Sequence, residues 1–163
     1  MGAHLLASSQ SPIRLVRRSN AEAPADSWKG ANAMPTDQTK RKEVWGRWVA
    51  ALCARDLRRA EEVAEEMCDQ DYVVHNPKLP EYGRGPAAAK AFAHYVITNY
   101  SDIHLTLEDF FGEGDKTAAR STVRFTVAAT GQKVWYPVLN MMRWVGDKLV
   151  ERWELSGPPE EQA

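Results

Sequence analysis

A change of hydrophobic period near Tyr100, from helical spacing before it to alternation after it, limits the folds open to this chain. Behind Thr36 and Asp37, which can cap a helix, apolar residues fall at Val44, Trp45, Trp48, Val49, Leu52 and Cys53, the stripe of a helix with one buried face. Asp56 offers a second cap, and Leu57, Ala60, Val63, Ala64 and Met67 continue at the same spacing, with Arg58, Arg59, Glu61, Glu62, Glu65 and Glu66 as a solvated side. A short β-rich piece, Tyr72 to His75, ends at Asn76-Pro77, and Pro80, Gly83 and Gly85 mark a loop. Pro86 is placed to open a third helix, faced by Ala88, Phe92, Tyr95, Val96 and Asn99 and ending near Tyr100.

Beyond that point Ile103, Leu105 and Leu107 alternate with His104, Thr106 and Glu108, up to the turn Gly112-Glu113-Gly114-Asp115. The next strand carries Ala119, Val123, Phe125 and Val127 on one face and Arg120, Thr122, Arg124 and Thr126 on the other. Val134 to Trp144 is apolar on both faces, as in a strand covered on two sides or buried at a subunit contact. Gly146-Asp147 makes a tight hairpin into a last strand, Leu149 to Leu155. Three helices followed by four strands predict an α+β domain over residues 36–156, with helices over one face of a curved, mostly antiparallel sheet that encloses a pocket. Residues 1–35 mix small and polar residues with Arg14, Arg17 and Arg18 and read as a disordered arm; either a transit-peptide-like segment or a true start at Met34 accounts for it. Residues 157–163 read as a polar tail.

The bulk numbers narrow the function. With 163 residues and 44% apolar content there is one core and no room for a second domain. A formal net charge of -1 provides no global field for nucleic acid or an anionic membrane, and no apolar run approaches the roughly 20 residues of a transmembrane helix. Two cysteines, Cys53 and Cys68, both in segments read as amphipathic helices, fit a reduced, intracellular protein, so a soluble cytoplasmic location is expected. No phosphate loop, nucleophile elbow, H-E-x-x-H motif or Cys/His ligand spacing occurs.

Four stretches together carry a resemblance: Asp71-Tyr-Val-Val-His-Asn-Pro77, Gly83-Arg-Gly-Pro86 opening a helix, the acidic turn at 112–115, and Gly146-Asp-Lys-Leu-Val-Glu-Arg-Trp-Glu154. In this order and at these distances they resemble the SnoaL-like polyketide cyclases, a branch of the nuclear transport factor 2-like superfamily. The resemblance implies a cone-shaped fold, usually dimeric, around a deep apolar pocket, working without metal or organic cofactor. Relatives include cyclases, isomerases, epoxide hydrolases, dehydratases and non-enzymatic binders, so the fold does not choose the reaction.

By that resemblance Glu154 matches the carboxylate after the Trp of the last strand, the expected general acid/base; an apolar pocket would raise its pKa toward the operating pH. The family more often has Asp there, and the extra methylene shifts the carboxylate by about 1.5 Å. Alternatively, Arg152 and Glu154 share a strand face and form an ordinary exposed pair. His75 matches a position facing the cavity mouth, for a substrate hydrogen bond or proton shuttle; capping the loop backbone is the plainer role. Compared with the Asp-Arg-Asp set of limonene epoxide hydrolase-like members, Arg120 fits the Arg and Glu154 one Asp, but Thr122 replaces the other, which disfavours water-driven epoxide opening and leaves Arg120 as a substrate anchor or surface charge. Asn140 interrupts an apolar strand and, if buried, needs a partner in the pocket or on a neighbouring strand. Tyr136 and Trp144 share its face and, with Phe92 and Tyr95, are candidates to line an aromatic cavity, while Trp45, Trp48 and Trp153 are assigned to packing. The leading expectation is a cofactor-independent cyclase or isomerase acting on a hydrophobic carbonyl compound, as a homodimer; the alternatives are a small-molecule binder or dimerisation module of the same fold, then a hydrolase or dehydratase.

Overall fold

The computed structural model of the protein describes residues 36–77 and 81–161. Residues 1–35, including the basic cluster and the two readings of Met34, lie outside the described residues. Helix α1 spans Thr36–Cys53, α2 Leu57–Met67 and α3 Gly85–Asn99; the strands are β1 (Cys68–His75), β2 (Tyr100–Glu113), β3 (Lys116–Val127), β4 (Lys133–Val145), β5 (Lys148–Ser156) and β6 (Glu160–Glu161).

The helices form where the stripes predict. In α1, Val44, Trp45, Trp48 and Leu52 are buried, and α2 buries Ala60, Val63, Ala64 and Met67. Asp56 caps α2, its Oδ1 accepting from the Arg59 amide at 2.9 Å, which satisfies one of the donors that a helix start leaves unpaired. The outer side of α2 is laced by ion pairs of Arg58 and Arg59 with Glu62 and of Glu66 with Arg47. Gly85 opens α3 at φ +69°, and a Cβ there would meet the Gln70 carbonyl oxygen at 2.6 Å, so the helix enters over β1 only because this residue has no side chain.

The sheet runs in the order β1-β5-β4-β3-β2, antiparallel except for the parallel pair β1 and β5. Helices α1, α2 and α3 cover one face. The predicted α+β order and mostly antiparallel sheet are therefore present, with two refinements. First, β1 begins at Cys68, earlier than its β-rich part; its register slips between Cys68 and Val73, and the Asp69 side chain accepts from the Asp71 amide, a local kink that hides the strand from an alternation test. Cys68, expected in a helix, is the buried first residue of this strand. Second, the segment after β5 returns along β4: the Gly157 amide donates to the Pro137 carbonyl at 2.9 Å, and Glu160 and Glu161 pair with Trp135 and Val134.

The two faces of β4 have different fates. Val134, Val138, Asn140, Met142 and Trp144 are buried on the inner face, while Met141 is 51% and Val145 62% exposed on the outer one, beside exposed Leu139, Trp153 and Leu155. Trp153, assigned to packing, is thus on the outside. At the end of the sheet away from the cavity described below, Arg41 of α1 donates to the carbonyls of Gly114 and Gly146 at 2.8 and 3.0 Å, tying the two hairpin turns together, and its guanidinium lies 5.7 Å from the Trp144 ring. No helix among the described residues is long and apolar enough to cross a membrane.

Candidate functional site

The inward position of Arg152 and Glu154 follows from an irregularity in β5. Trp144 pairs with Leu149 but Arg143 pairs with Glu151, so Val150 is an extra residue and the side-chain parity changes there. Leu149 faces the core, and beyond the bulge Arg152 and Glu154 face inward while Glu151 and Trp153 face out. Arg152 and Glu154 do share a face, but it is the covered one: their side chains are 4% and 14% exposed, with Nη2 of Arg152 3.4 Å from Oε2 of Glu154.

Glu154 stands where two adjoining chambers meet, and Arg152 lines the inner one. The outer, about 470 Å³, is lined by Asn76, Phe92, Tyr95, Tyr100, Tyr136 and Glu154 among others, with Gly157, Pro159 and Glu160 contributed by the segment after β5. The inner, about 80 Å³, lies under α1 and is lined by Trp45, Trp48, Asn140, Arg152, Tyr136 and Glu154 among others. Together they fall within the range of small-molecule sites and are mostly aromatic and aliphatic, with few polar groups.

Glu154 is held at both oxygens. Asn76 Nδ2 donates to Oε1 at 2.7 Å and the Arg152 guanidinium approaches Oε2. Arg152 is in turn sandwiched by rings, its central carbon 5.0 Å from the Phe92 centroid and 5.7 Å from that of Trp45, a setting in which a cation loses water but gains the ring quadrupole. Burial works against its charge, yet its pKa is held above the ordinary value by the acidic groups around it, Tyr72, Glu154 and Cys68, of which Tyr72 and Cys68 carry charge only in strong alkali. Burial pushes the Tyr136 phenol up to about 12, and the Glu154 charge adds to the effect. Tyr136 is therefore a neutral hydrogen-bond donor at any physiological pH. Tyr100 is raised as well, by burial and then by its contact with the Tyr95 hydroxyl at 3.4 Å.

Of the residues singled out from the sequence, Glu154, Asn140, Tyr136, Phe92 and Tyr95 come together around these chambers. The others do not. His75 is a correction: it pairs in register with Trp153, stacks on that ring at 5.1 Å and places Nε2 2.9 Å from Glu151 on the outer face. The reason is one residue of parity, since the neighbouring Asn76 turns inward and takes the place expected for His75. Arg120 and Thr122 also face out, where Arg120 Nε donates to Asp109 at 2.6 Å and the Thr122 hydroxyl to Glu108 at 3.1 Å. Neither lines the cavity, so of the three positions compared with the epoxide hydrolase set only Glu154 stands there. Trp144 is on the predicted face but too far along it: it is core, donating its Nε1–H to Thr117 Oγ1 at 2.9 Å. Arg152, Asn76 and Tyr100 are the site residues that sequence reading missed; for Arg152 the signal was present in the shared parity with Glu154. Among the described residues no group of three or more His, Cys, Asp or Glu side chains is placed to hold a metal ion.

A curved sheet covered by three helices, with Glu154 and Arg152 inside an aromatic cavity, defines an α+β domain with an internal cavity. Residues 45–152 match the model of the SnoaL-like domain, and the chain belongs to that family; Glu154 lies just beyond the matched segment. Solved structures agree on the fold. TsrD from Streptomyces laurentii is similar with a TM-score of 0.63 at 20% identity, over 75% of this chain and 91% of that one. A SnoaL-like polyketide cyclase from Agrobacterium tumefaciens has a TM-score of 0.58 at 13% identity, over 72% and 91%. An epoxide hydrolase of Mycobacterium tuberculosis, LEH-like, has a TM-score of 0.58 at 11% identity, over 73% and 84%. No curated protein sequence matches the chain.

Proposed function

We propose that this SnoaL-like domain is a cofactor-independent cyclase or isomerase acting on a hydrophobic, polyketide-like carbonyl compound, with Glu154 as general base and acid. The observation that carries this is that Glu154 is the one carboxylate among the residues lining the inner chamber, at its junction with the outer one. An apolar substrate filling the outer chamber would present a C–H α to its carbonyl to Glu154, which takes the proton as the C–H pair moves into the enolate. The enolate carbon then either attacks a second carbonyl, closing a ring as the new alkoxide takes the proton back from Glu154, or, where the enolate is conjugated as a dienolate, its γ-carbon takes that proton and the double bond moves. Tyr136, neutral and facing the same space, and Arg152 are the donors available to the developing oxyanion. The test is a screen of polyketide, terpenoid and steroid-like carbonyl compounds with wild type and Glu154→Gln. Turnover by wild type that is lost in the variant while binding is kept supports the proposal; equal ligand-induced stabilisation of both proteins with no turnover by either sinks it.

A second function, that of a non-catalytic binder, is favoured by one observation. Both oxygens of Glu154 are already engaged by Asn76 and Arg152, so the carboxylate also serves as a structural counter-ion.

We further propose that the chain acts as a homodimer through the outer face of the sheet, supported by Leu139, Met141, Val145, Trp153 and Leu155, which are exposed on adjoining strands of a single chain. Sedimentation at micromolar concentration is expected to give a dimer, and Met141→Lys, which places a charge in the middle of this face, a monomer with an unchanged circular dichroism spectrum. A monomeric wild type contradicts the assignment.

A further inference from the structure

The outer chamber differs from the inner one in its charge. Among the described residues, its lining includes two carboxylates, Glu154 and Glu160, and no Lys, Arg or His. Arg152 lies 3.4 Å from Glu154, but that guanidinium lines the inner chamber. On the outer side the Glu154 charge is still felt: after burial, it is the next cause that raises the Tyr136 phenol. Glu160 is exposed and takes part in no ion pair among the described residues; it joins the lining because β6 returns along β4 and pairs with Val134 and Trp135. The same lining contains a run of four rings, Tyr95, Tyr100, Phe125 and Tyr136, with consecutive centroids 6.0, 4.3 and 5.6 Å apart. The run bends sharply, since Tyr95 and Tyr100 lie at 84° to each other and Phe125 and Tyr136 at 79°.

A bent aromatic wall beside acids with no facing base selects the chemistry. A flat polycyclic group stacks on one ring plane at a time, and here neighbouring planes stand nearly at right angles. A rounded group meets rings of different orientation equally well. An anion would be repelled by both carboxylates and would find no cation in the described lining. A primary ammonium is compact and strongly hydrated, so it gives up its water at high cost. An alkylated ammonium is bulky and weakly hydrated, and it is attracted both by aromatic rings and by carboxylates. We propose that the outer chamber takes ligands carrying a trialkylammonium or quaternary ammonium group, held among Tyr95, Tyr100 and Tyr136 with Glu154 and Glu160 as its counter-charges. The proposal deepens the assignment of the cavity as a small-molecule site and rests on that assignment, not on Glu154 acting as a base.

Calorimetric titration of the full-length protein with three phenols of similar shape tests it: (4-hydroxyphenyl)trimethylammonium, its neutral isostere 4-tert-butylphenol, and the anion 4-hydroxybenzenesulfonate. The cation is expected to bind at least about ten-fold more tightly than the isostere, and the sulfonate more weakly than both. Tyr95→Leu, which removes one ring, and separately Glu160→Gln, an exposed change of charge alone, are expected to shrink that preference while 4-tert-butylphenol still binds. Equal or tighter binding of 4-tert-butylphenol, tightest binding of the sulfonate, no binding of any of the three, or a preference unchanged in both variants overturns the proposal. An ammonium preference in a protein that turns over no carbonyl compound would remove the acid/base role and leave this proposal standing, whereas turnover lost in Glu154→Gln with no such preference would do the reverse.

Discussion

Replacing Arg152 by Met is expected to lower the stability of the domain by about 3 kcal/mol, read as a fall of about 10 °C in melting temperature. The side chain volume is nearly kept, so the loss is electrostatic in origin. Glu154 would remain largely covered with only Asn76 to hold its charge, and the rings of Trp45 and Phe92 would lose the cation between them. Removing one member of a buried pair typically costs about 3–5 kcal/mol, and the lower end applies because the Glu154 carboxylate is 14% exposed. The double variant Arg152→Met/Glu154→Gln, lacking both charges, is expected to regain much of the loss, a coupling that a double-mutant cycle measures directly. Strict additivity of the two single effects would mean that the pair is not the unit described.

A second large effect is alkaline. Burial pushes the Tyr72 phenol up from 10.0 to about 12, and the Cys68 thiol up from 9.0 to about 12, Cys68 opening β1 and Tyr72 lying four residues on, both almost wholly covered. Each raised pKa means that the folded state keeps a proton which the unfolded chain would release. The stability that these groups contribute is therefore fully present below about pH 9, begins to fall as Cys68 and then Tyr72 would ionise on unfolding, and is gone above about pH 12. A tenfold change in proton affinity corresponds to about 1.4 kcal/mol, so each group is worth on the order of 3 kcal/mol across that window. Urea midpoints measured from about pH 8 to 12 are expected to drop steeply above about pH 9, and Tyr72→Phe to flatten the upper part of the curve. A midpoint independent of pH throughout that range would show that neither group is shielded from solvent as described.

How much of this was legible in the sequence depended on where the strands were regular. The stripes of α1, α2 and α3, the Asp56 cap and the alternation of β2 and β3 follow from local chemistry, and so did the outward face of Arg120 and Thr122, although a functional role was still attached to them. Two bulges broke the rule that successive side chains alternate. In β5 the extra residue at Val150 reverses the parity between Leu149 and Arg152, so that Trp153, which counts as inward from Leu149, ends outside. In β1 the slip between Cys68 and Val73, with the parallel pairing to β5, decided that Asn76 and not His75 reaches Glu154. Neither bulge nor parallel partner has a local signature strong enough to read without coordinates. Face alone was also not enough for Trp144, which shares the side of Tyr136 and Asn140 but lies beyond the cavity, under Arg41. Arg152 was visible as the partner of Glu154; its burial came from the rings of Trp45 and Phe92, which meet it only in three dimensions.

The proposed catalysis turns on Glu154 taking a proton from a carbon next to a carbonyl. Deuterium exchange into the α-positions of 2-tetralone, followed by proton NMR in buffered D2O, tests that step alone and needs no knowledge of the natural substrate. Wild type is expected to speed the exchange over buffer by at least about 100-fold, and Glu154→Gln to return it to the buffer rate. Exchange at the buffer rate with bound 2-tetralone and wild-type protein, or equal acceleration by the variant, would contradict it.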